Sequence, residues 1–164
     1  MTSLALNPAL SDLPVYQPGR PIDEVARELG LPPEGIIKLA SNENPLGPSP
    51  RALAAMARVL PQLHLYPDGS AFHLKRRLAA DLGLRPENVI LGNGSNEIIE
   101  FVGHAFCRPG AEVVVSQHCF AIYPIIARMM GARVVTVPSR DLAHDLPAMR
   151  NAVTDARTVM FVAN

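Results

Sequence analysis

The chain has 164 residues, 48% of them hydrophobic and 18% charged, with 15 Lys+Arg balanced by 15 Asp+Glu. That length is a one-domain size able to bury a core, the apolar share argues against disorder, and zero formal net charge argues against a nucleic-acid or polyanion binder, which carries a basic excess. No apolar run reaches the roughly 18 residues of a membrane span, and the opening MTSLALNPAL lacks a basic n-region and a clean apolar h-region, so no secretory leader is predicted and a cytoplasmic location is expected.

Residues 1–20 read as an extended arm, because Pro8, Pro14, Pro18 and Pro21 leave no room for a helix. A short helix is predicted from Ile22 to Leu29, stopped by Gly30. Ile36–Leu39 is a short apolar run and reads as a strand, and Ser41–Pro50 (SNENPLGPSP) is loop by composition. Ser49 is placed to cap a helix with Pro50 at its first position; Leu53, Met56, Ala57 and Leu60 form its apolar stripe and Pro61 ends it. Ser70 is the expected cap of the next helix, on which Leu74, Leu78 and Leu82 stack at i, i+4, i+8 before Gly83.

Beyond that helix the pattern changes. Strands are predicted at Val89–Leu91, Val113–Val115, Val134–Val137 and Thr158–Ala163. They alternate with helices at Ser95–Cys107, up to Met130 before Gly131, and around Leu146–Val153. Uninterrupted Val/Ile/Leu strands alternating with amphipathic helices imply an α/β fold with a parallel sheet covered on its faces. The sequence stops at Asn164, directly after the last predicted strand. Ligands of such sheets bind just beyond the strands' carboxyl ends, so this sequence is expected to be the front part of a longer protein.

The strongest chemical signal is Ile90–Glu97, ILGNGSNE, in which Gly92-Asn93-Gly94 turns a strand into a helix opened by Ser95. Unsatisfied N–H groups at a helix start, with the helix dipole, make a phosphate seat, and glycines allow close backbone approach. The same turn also occurs without any ligand. A dinucleotide fingerprint is absent, since no glycine stands three residues after Gly94, and there is no Walker lysine. Phe120, in Cys119–Tyr123 (CFAIY) after the strand at Val113–Val115, is either a core residue or an aromatic placed to stack on a planar cofactor. Tyr66-Pro67-Asp68-Gly69 reads as an ordinary turn or as a turn presenting a hydroxyl to phosphate. His64, His73, His104, His118 and His144 show no metal-ligand spacing, so no metal site is predicted. Cys107 reads as a small buried hydrophobe, and nothing marks Cys119 as a nucleophile.

Several of these pieces occur together in one family. Tyr16–Arg20 (YQPGR), Lys38–Pro50 (KLASNENPLGPSP), Tyr66–Ala80 (YPDGSAFHLKRRLAA), Ile90–Glu100 (ILGNGSNEIIE) and Ser116–Pro124 (SQHCFAIYP) follow one another as in the histidinol-phosphate aminotransferases. The chain resembles that family, a branch of the fold-type I enzymes that depend on pyridoxal 5'-phosphate (PLP). The resemblance implies a three-layer fold with a mostly parallel sheet. Residues 1–35 would form the arm and the first part of the small domain, and residues 36–164 an incomplete PLP-binding large domain. It also implies roles. The backbone N–H groups of Ser95 and Asn96 would seat the PLP phosphate, with Glu97 in the same turn, and Phe120 would stack on the pyridine ring. Tyr66 would reach across a homodimer interface to the partner's PLP phosphate. Tyr16, also from the partner chain, would help close over the substrate, and Asn42 and Asn44 would lie near its end of the site.

In the family the strand ending at Asn164 continues into an Asn-Pro-Asn-Asn-Pro-Thr-Gly segment, and the lysine that holds PLP as an imine lies further on. The only lysines here, Lys38 and Lys75, do not match that lysine's setting, so no catalytic residue is assigned and the 164-residue chain alone is expected to be inactive. The parent protein is expected to exchange an amino group between L-histidinol phosphate and 2-oxoglutarate in histidine biosynthesis, as a homodimer without nucleic-acid or membrane partners. The alternatives are an aromatic amino acid aminotransferase of the same family and a non-catalytic α/β phosphate-binding module.

Overall fold

The computed structural model describes residues 8–10, 13–156 and 158–163. They divide into two compact units, one of Gln17–Val89 and one formed by the described residues of Met1–Tyr16 and Ile90–Asn164.

In the unit Gln17–Val89, α1 (Ile22–Leu29) carries Asp23 and Glu24 in its first turn, where they complement the helix dipole. It ends at Gly30, which takes a left-handed φ of 65° and donates its N–H to the Ala26 carbonyl. Arg20 pairs with both Glu24 and Glu28 on its exposed face. Helix α2 (Pro50–Val59) begins where Ser49 and Pro50 place it, although the Ser49 hydroxyl makes no capping bond.

At α3 (Phe72–Leu82) the expected cap is corrected: Asp68 does the work assigned to Ser70. Ala71 is held at a left-handed φ of 48°, and its N–H closes a turn on the Asp68 carbonyl. This carries the Asp68 carboxylate over the helix start. Its Oδ2 accepts the Phe72 N–H at 2.9 Å, while Oδ1 accepts the Ser70 N–H at 2.9 Å and the Ser70 hydroxyl at 2.7 Å. These bonds, the Ser70 hydroxyl's foremost, hold the Asp68 carboxyl below the usual carboxylate range.

Two expected strands do not form. Ile36–Leu39 has no ladder partner among the described residues: Ile37 and Leu39 are exposed, and the Ile36 N–H turns back to the Pro33 carbonyl. At Val89–Leu91 the Val89 N–H likewise closes a turn on Pro86, and Ile90 is exposed. β-branched composition fits a pleated, half-buried surface but does not supply one.

The other unit holds a three-stranded parallel sheet of β1 (Glu112–Ser116), β2 (Arg133–Val137) and β3 (Thr158–Met160), in the order β2-β1-β3. Val114 aligns with Val135 on one side and Met160 on the other. The last strand is shorter than the run Thr158–Ala163 suggests, though the Phe161 N–H adds one further bond to the Val114 carbonyl. Helices α4 (Gly94–Phe106), α5 (Ile122–Met129) and α6 (Leu146–Asn151) complete the unit.

Alternation along β1 sorts the layers. Val113 and Val115 pack with Ala127 of α5, Cys107, Ala111 and Ala132 on one face; Val114 packs with Val137 and Met149 of α6 on the other. All three β1 valines are at most 1% exposed. Each such burial is worth about 1.5–3 kcal/mol, so this strand anchors the unit. Outside the sheet, α4 lies on α5 at Gly103, where a β-carbon would stand 2.4 Å from Ile126 Cγ2.

At the amino end of the sheet, Glu112 accepts the Thr154 hydroxyl at 2.8 Å and pairs with Arg133. The Thr154 bond first, then Arg133, holds its carboxyl below the usual range. At the carboxyl end, side chains bind the loops together. The Ser116 and Ser139 hydroxyls meet at 3.0 Å, the His118 N–H reaches Ser139 Oγ, and the Ser139 N–H reaches Gln117 Oε1. His144 Nε2 lies 2.9 Å from the Ala163 carbonyl beyond β3.

Candidate cofactor-binding site

The candidate site gathers at the carboxyl end of this sheet. Parallel connections dictate the direction of the helices. Helix α5 follows β1 and returns to the start of β2, so its N-terminus lies at the carboxyl end. Helix α4 meets α5 at Gly103, against Ile126 and Met130, and then leads to the start of β1. It therefore runs alongside α5, with its own N-terminus on the carboxyl side. Gly103 lies nine residues into α4 and Ile126 four into α5. At 1.5 Å per residue, α4 extends about 7 Å further in that direction.

The start of α4 is built from backbone. Gly94 takes a left-handed φ of 73°, with nothing within 4 Å of where a β-carbon would stand. Its N–H is used by the Gly92 carbonyl at 2.9 Å. The N–H groups of Ser95 and Asn96 have no partner among the described residues, and both residues are exposed. Glu97 folds back: its Oε2 accepts the Asn93 N–H at 2.6 Å and the Asn93 side-chain amide at 3.2 Å. The Glu97 carboxylate thus fixes the turn, and the donors left for an anion are backbone N–H groups. Two adjacent free N–H donors at a helix start are suited to a phosphate.

Phe120 lies in the loop after β1, half-buried, with its ring edge-on to Tyr123 at 5.8 Å and 90° between planes. Cys119 beside it is half-buried against the core, and burial pushes its thiol up, away from the reactive thiolate form. Sequence reasoning passed over Tyr123, whose ring stacks on Phe161 at 4.4 Å and 8°. The signal available was the i, i+3 spacing of Phe120 and Tyr123 into a helix start, which places two rings on one side.

Of the other predicted residues, Asn42, Asn44 and Tyr66 belong to the unit Gln17–Val89 and Tyr16 to the unit that holds the sheet. Tyr66 is fully exposed, and Tyr16 is 46% exposed. Asn42 takes a left-handed φ of 51°, and its side chain bonds no described residue. Asn44 is occupied: its Oδ1 accepts the Leu46 N–H at 3.0 Å and its amide reaches the Gly47 carbonyl. Lys38 is paired with Glu43 at 2.7 Å. Among the described residues there is no cluster of metal-ligating side chains, and no helix long and apolar enough to cross a membrane.

Comparison with known proteins agrees with the fold. The family described as aminotransferase class I and II matches residues 34–164. Histidinol-phosphate aminotransferase 2 of Nitrosospira multiformis is 50% identical over 149 residues, covering 91% of this chain and 38% of that protein. The protein of the same name from Pseudomonas fluorescens Pf-5 is 50% identical over 157 residues, 96% of this chain and 42% of its own length. The chain thus spans about two fifths of the length of these relatives. The crystal structure of histidinol-phosphate aminotransferase from Sinorhizobium meliloti in complex with pyridoxal-5'-phosphate superposes with a TM-score of 0.74 at 27% identity, over 92% of this chain and 39% of that one. An aspartate aminotransferase from Thermotoga maritima, at 16% identity and a TM-score of 0.74 over 94% of this chain and 44% of that one, shares the fold. With the parallel sheet, the open helix start and a family match over residues 34–164, the chain belongs to the aminotransferase class I and II family.

Proposed function

We propose that this chain is the front part of a PLP-dependent aminotransferase that moves an amino group between L-histidinol phosphate and 2-oxoglutarate. The observation that carries the reading is the start of α4, where the free N–H groups of Ser95 and Asn96 stand on the same side of the sheet as Phe120. The roughly 50% identity to histidinol-phosphate aminotransferases supports the substrate.

The residues present fit the cofactor at both ends. Ser95 and Asn96 would hold its phosphate through backbone N–H groups, with Glu97 bracing the turn through Asn93. Phe120 would cover a face of the ring and exclude water from it. Bound PLP would supply an aldehyde that takes up an amino group from one substrate and returns it to another, with its ring as the electron sink. Asn42, rather than the occupied Asn44, is free to bond a substrate polar group. In a homodimer, the exposed Tyr66 would extend to the phosphate held by the partner subunit, and Tyr16 would close over the substrate there. The amine that holds the cofactor would come from residues after 164, for which the relatives' greater length leaves room. The setting is cytoplasmic.

The test is a half-reaction on the intact gene product loaded with PLP. L-histidinol phosphate alone should convert the cofactor to its amine form, and 2-oxoglutarate should restore it. Conversion by phenylalanine or tyrosine but not by histidinol phosphate would replace this substrate with an aromatic amino acid.

A further inference from the structure

Phe120 does not sit in its loop unaided. Its ring meets Tyr123 edge to face, and the Tyr123 N–H donates to the Phe120 carbonyl at 3.1 Å, so backbone and ring fix the same pair. Tyr123 in turn lies flat on Phe161, which is held beyond β3 by its N–H bond to the Val114 carbonyl of the central strand. The three rings form a ladder from the loop after β1, across the first turn of α5, to the end of β3. Tyr123 and Phe161 both pack on the buried cluster around Val113 and Val115. The Tyr123 hydroxyl bonds no described residue, so the ring carries these contacts.

We infer that Tyr123 is a positioning residue for the cofactor, which sets the plane of the Phe120 ring and ties it to the end of β3 through Phe161. The inference rests on Phe120 covering the PLP ring. Edge-to-face pairs have a preferred geometry that an aliphatic side chain does not reproduce. Without Tyr123, Phe120 keeps its place in the sequence but loses the neighbour that fixes its tilt. The consequence falls on the cofactor: weaker retention and an altered ring orientation.

The experiment uses the intact gene product as apoenzyme, titrated with PLP, with the visible circular dichroism of the bound cofactor recorded beside the apoenzyme's thermal midpoint. Y123L should weaken PLP binding about three- to tenfold, the size of one aromatic pair, and change the cofactor's dichroism. F161L, which removes the stacked face without touching the loop, should shift both readouts in the same direction, and it serves if Y123L fails to fold. Y123F should restore both. Combined with F120L, Y123L should add little further loss. If F120L weakens PLP binding while Y123L and F161L lower only the thermal midpoint, the positioning role is overturned and Tyr123 is a packing residue. If F120L itself leaves PLP affinity and dichroism unchanged, Phe120 is not the stacking residue, and the reading beneath the inference fails instead.

Discussion

Gly103→Ala isolates the contact that seats α4 on α5. In an exposed helix interior, alanine is better than glycine by about 1 kcal/mol. Gly103 is buried, and a β-carbon there would stand 2.4 Å from Ile126 Cγ2, with Met130 Cγ at 3.6 Å. Carbon atoms pack at about 3.5–4.0 Å, so the helices must part by roughly 1 Å or Ile126 must leave its rotamer. Cγ2 is bonded directly to the β-carbon of a β-branched residue and has little freedom to yield. Overpacking of this kind costs about 1–3 kcal/mol, which exceeds the propensity gain. The expected result is a net loss of up to about 2 kcal/mol, read as a lower thermal midpoint of the intact gene product in a reversible melt. Ile126→Val keeps Cγ2 and should give no relief, whereas Ile126→Ala in the Gly103→Ala background should recover part of the loss. An alanine variant more stable than the parent by the full propensity gain would refute the close approach of α4 and α5.

Further outcomes follow from the same structure. Phe120→Ala should weaken PLP binding to the apoenzyme, because water does not replace ring stacking; unchanged affinity would remove Phe120 from the site. Tyr66→Phe should lower PLP affinity in the homodimer, and an unaltered dimer titration would remove the cross-subunit role. Asp68→Ala should lower the thermal midpoint more than Ser70→Ala, since the carboxylate accepts three bonds at the start of α3; equal losses would return the cap to Ser70. Because the Glu112 carboxyl is held below its unfolded value, its contribution to stability is present at neutral pH and is lost as pH falls through that lowered value. Glu112→Gln should flatten the acid limb of the stability–pH curve, and an unchanged limb would assign acid sensitivity elsewhere.

The sheet was legible in the sequence because its signal is local. Val113–Val115 is apolar on both faces, as a central parallel strand must be, and Gly30, Gly83 and Gly131 stand at helix ends in left-handed backbone. Ile36–Leu39 and Val89–Leu91 are similarly apolar but have no ladder partner among the described residues, and pairing is a long-range property that a short window does not contain. The cap of α3 was misread because a left-handed Ala71 is not announced by its side chain, and that single torsion decides whether Asp68 or Ser70 faces the helix start. The turn proposed as a phosphate seat was legible as a glycine turn entering a helix, whereas Glu97 bracing Asn93 and the ring ladder through Tyr123 depend on side-chain placement. Composition leaves only Lys38 and Lys75 to consider, and it is the resemblance, not composition, that sets both aside as the cofactor lysine.

In the proposed function, the start of α4 and Phe120 hold one cofactor between them. The direct measurement is a crystal structure of the intact gene product with PLP. The phosphate should lie against α4, its oxygens about 2.7–3.2 Å from the backbone nitrogens of Ser95 and Asn96, with the pyridine ring lying on Phe120. A phosphate bound away from that turn, or a ring that leaves Phe120 uncovered, would contradict it.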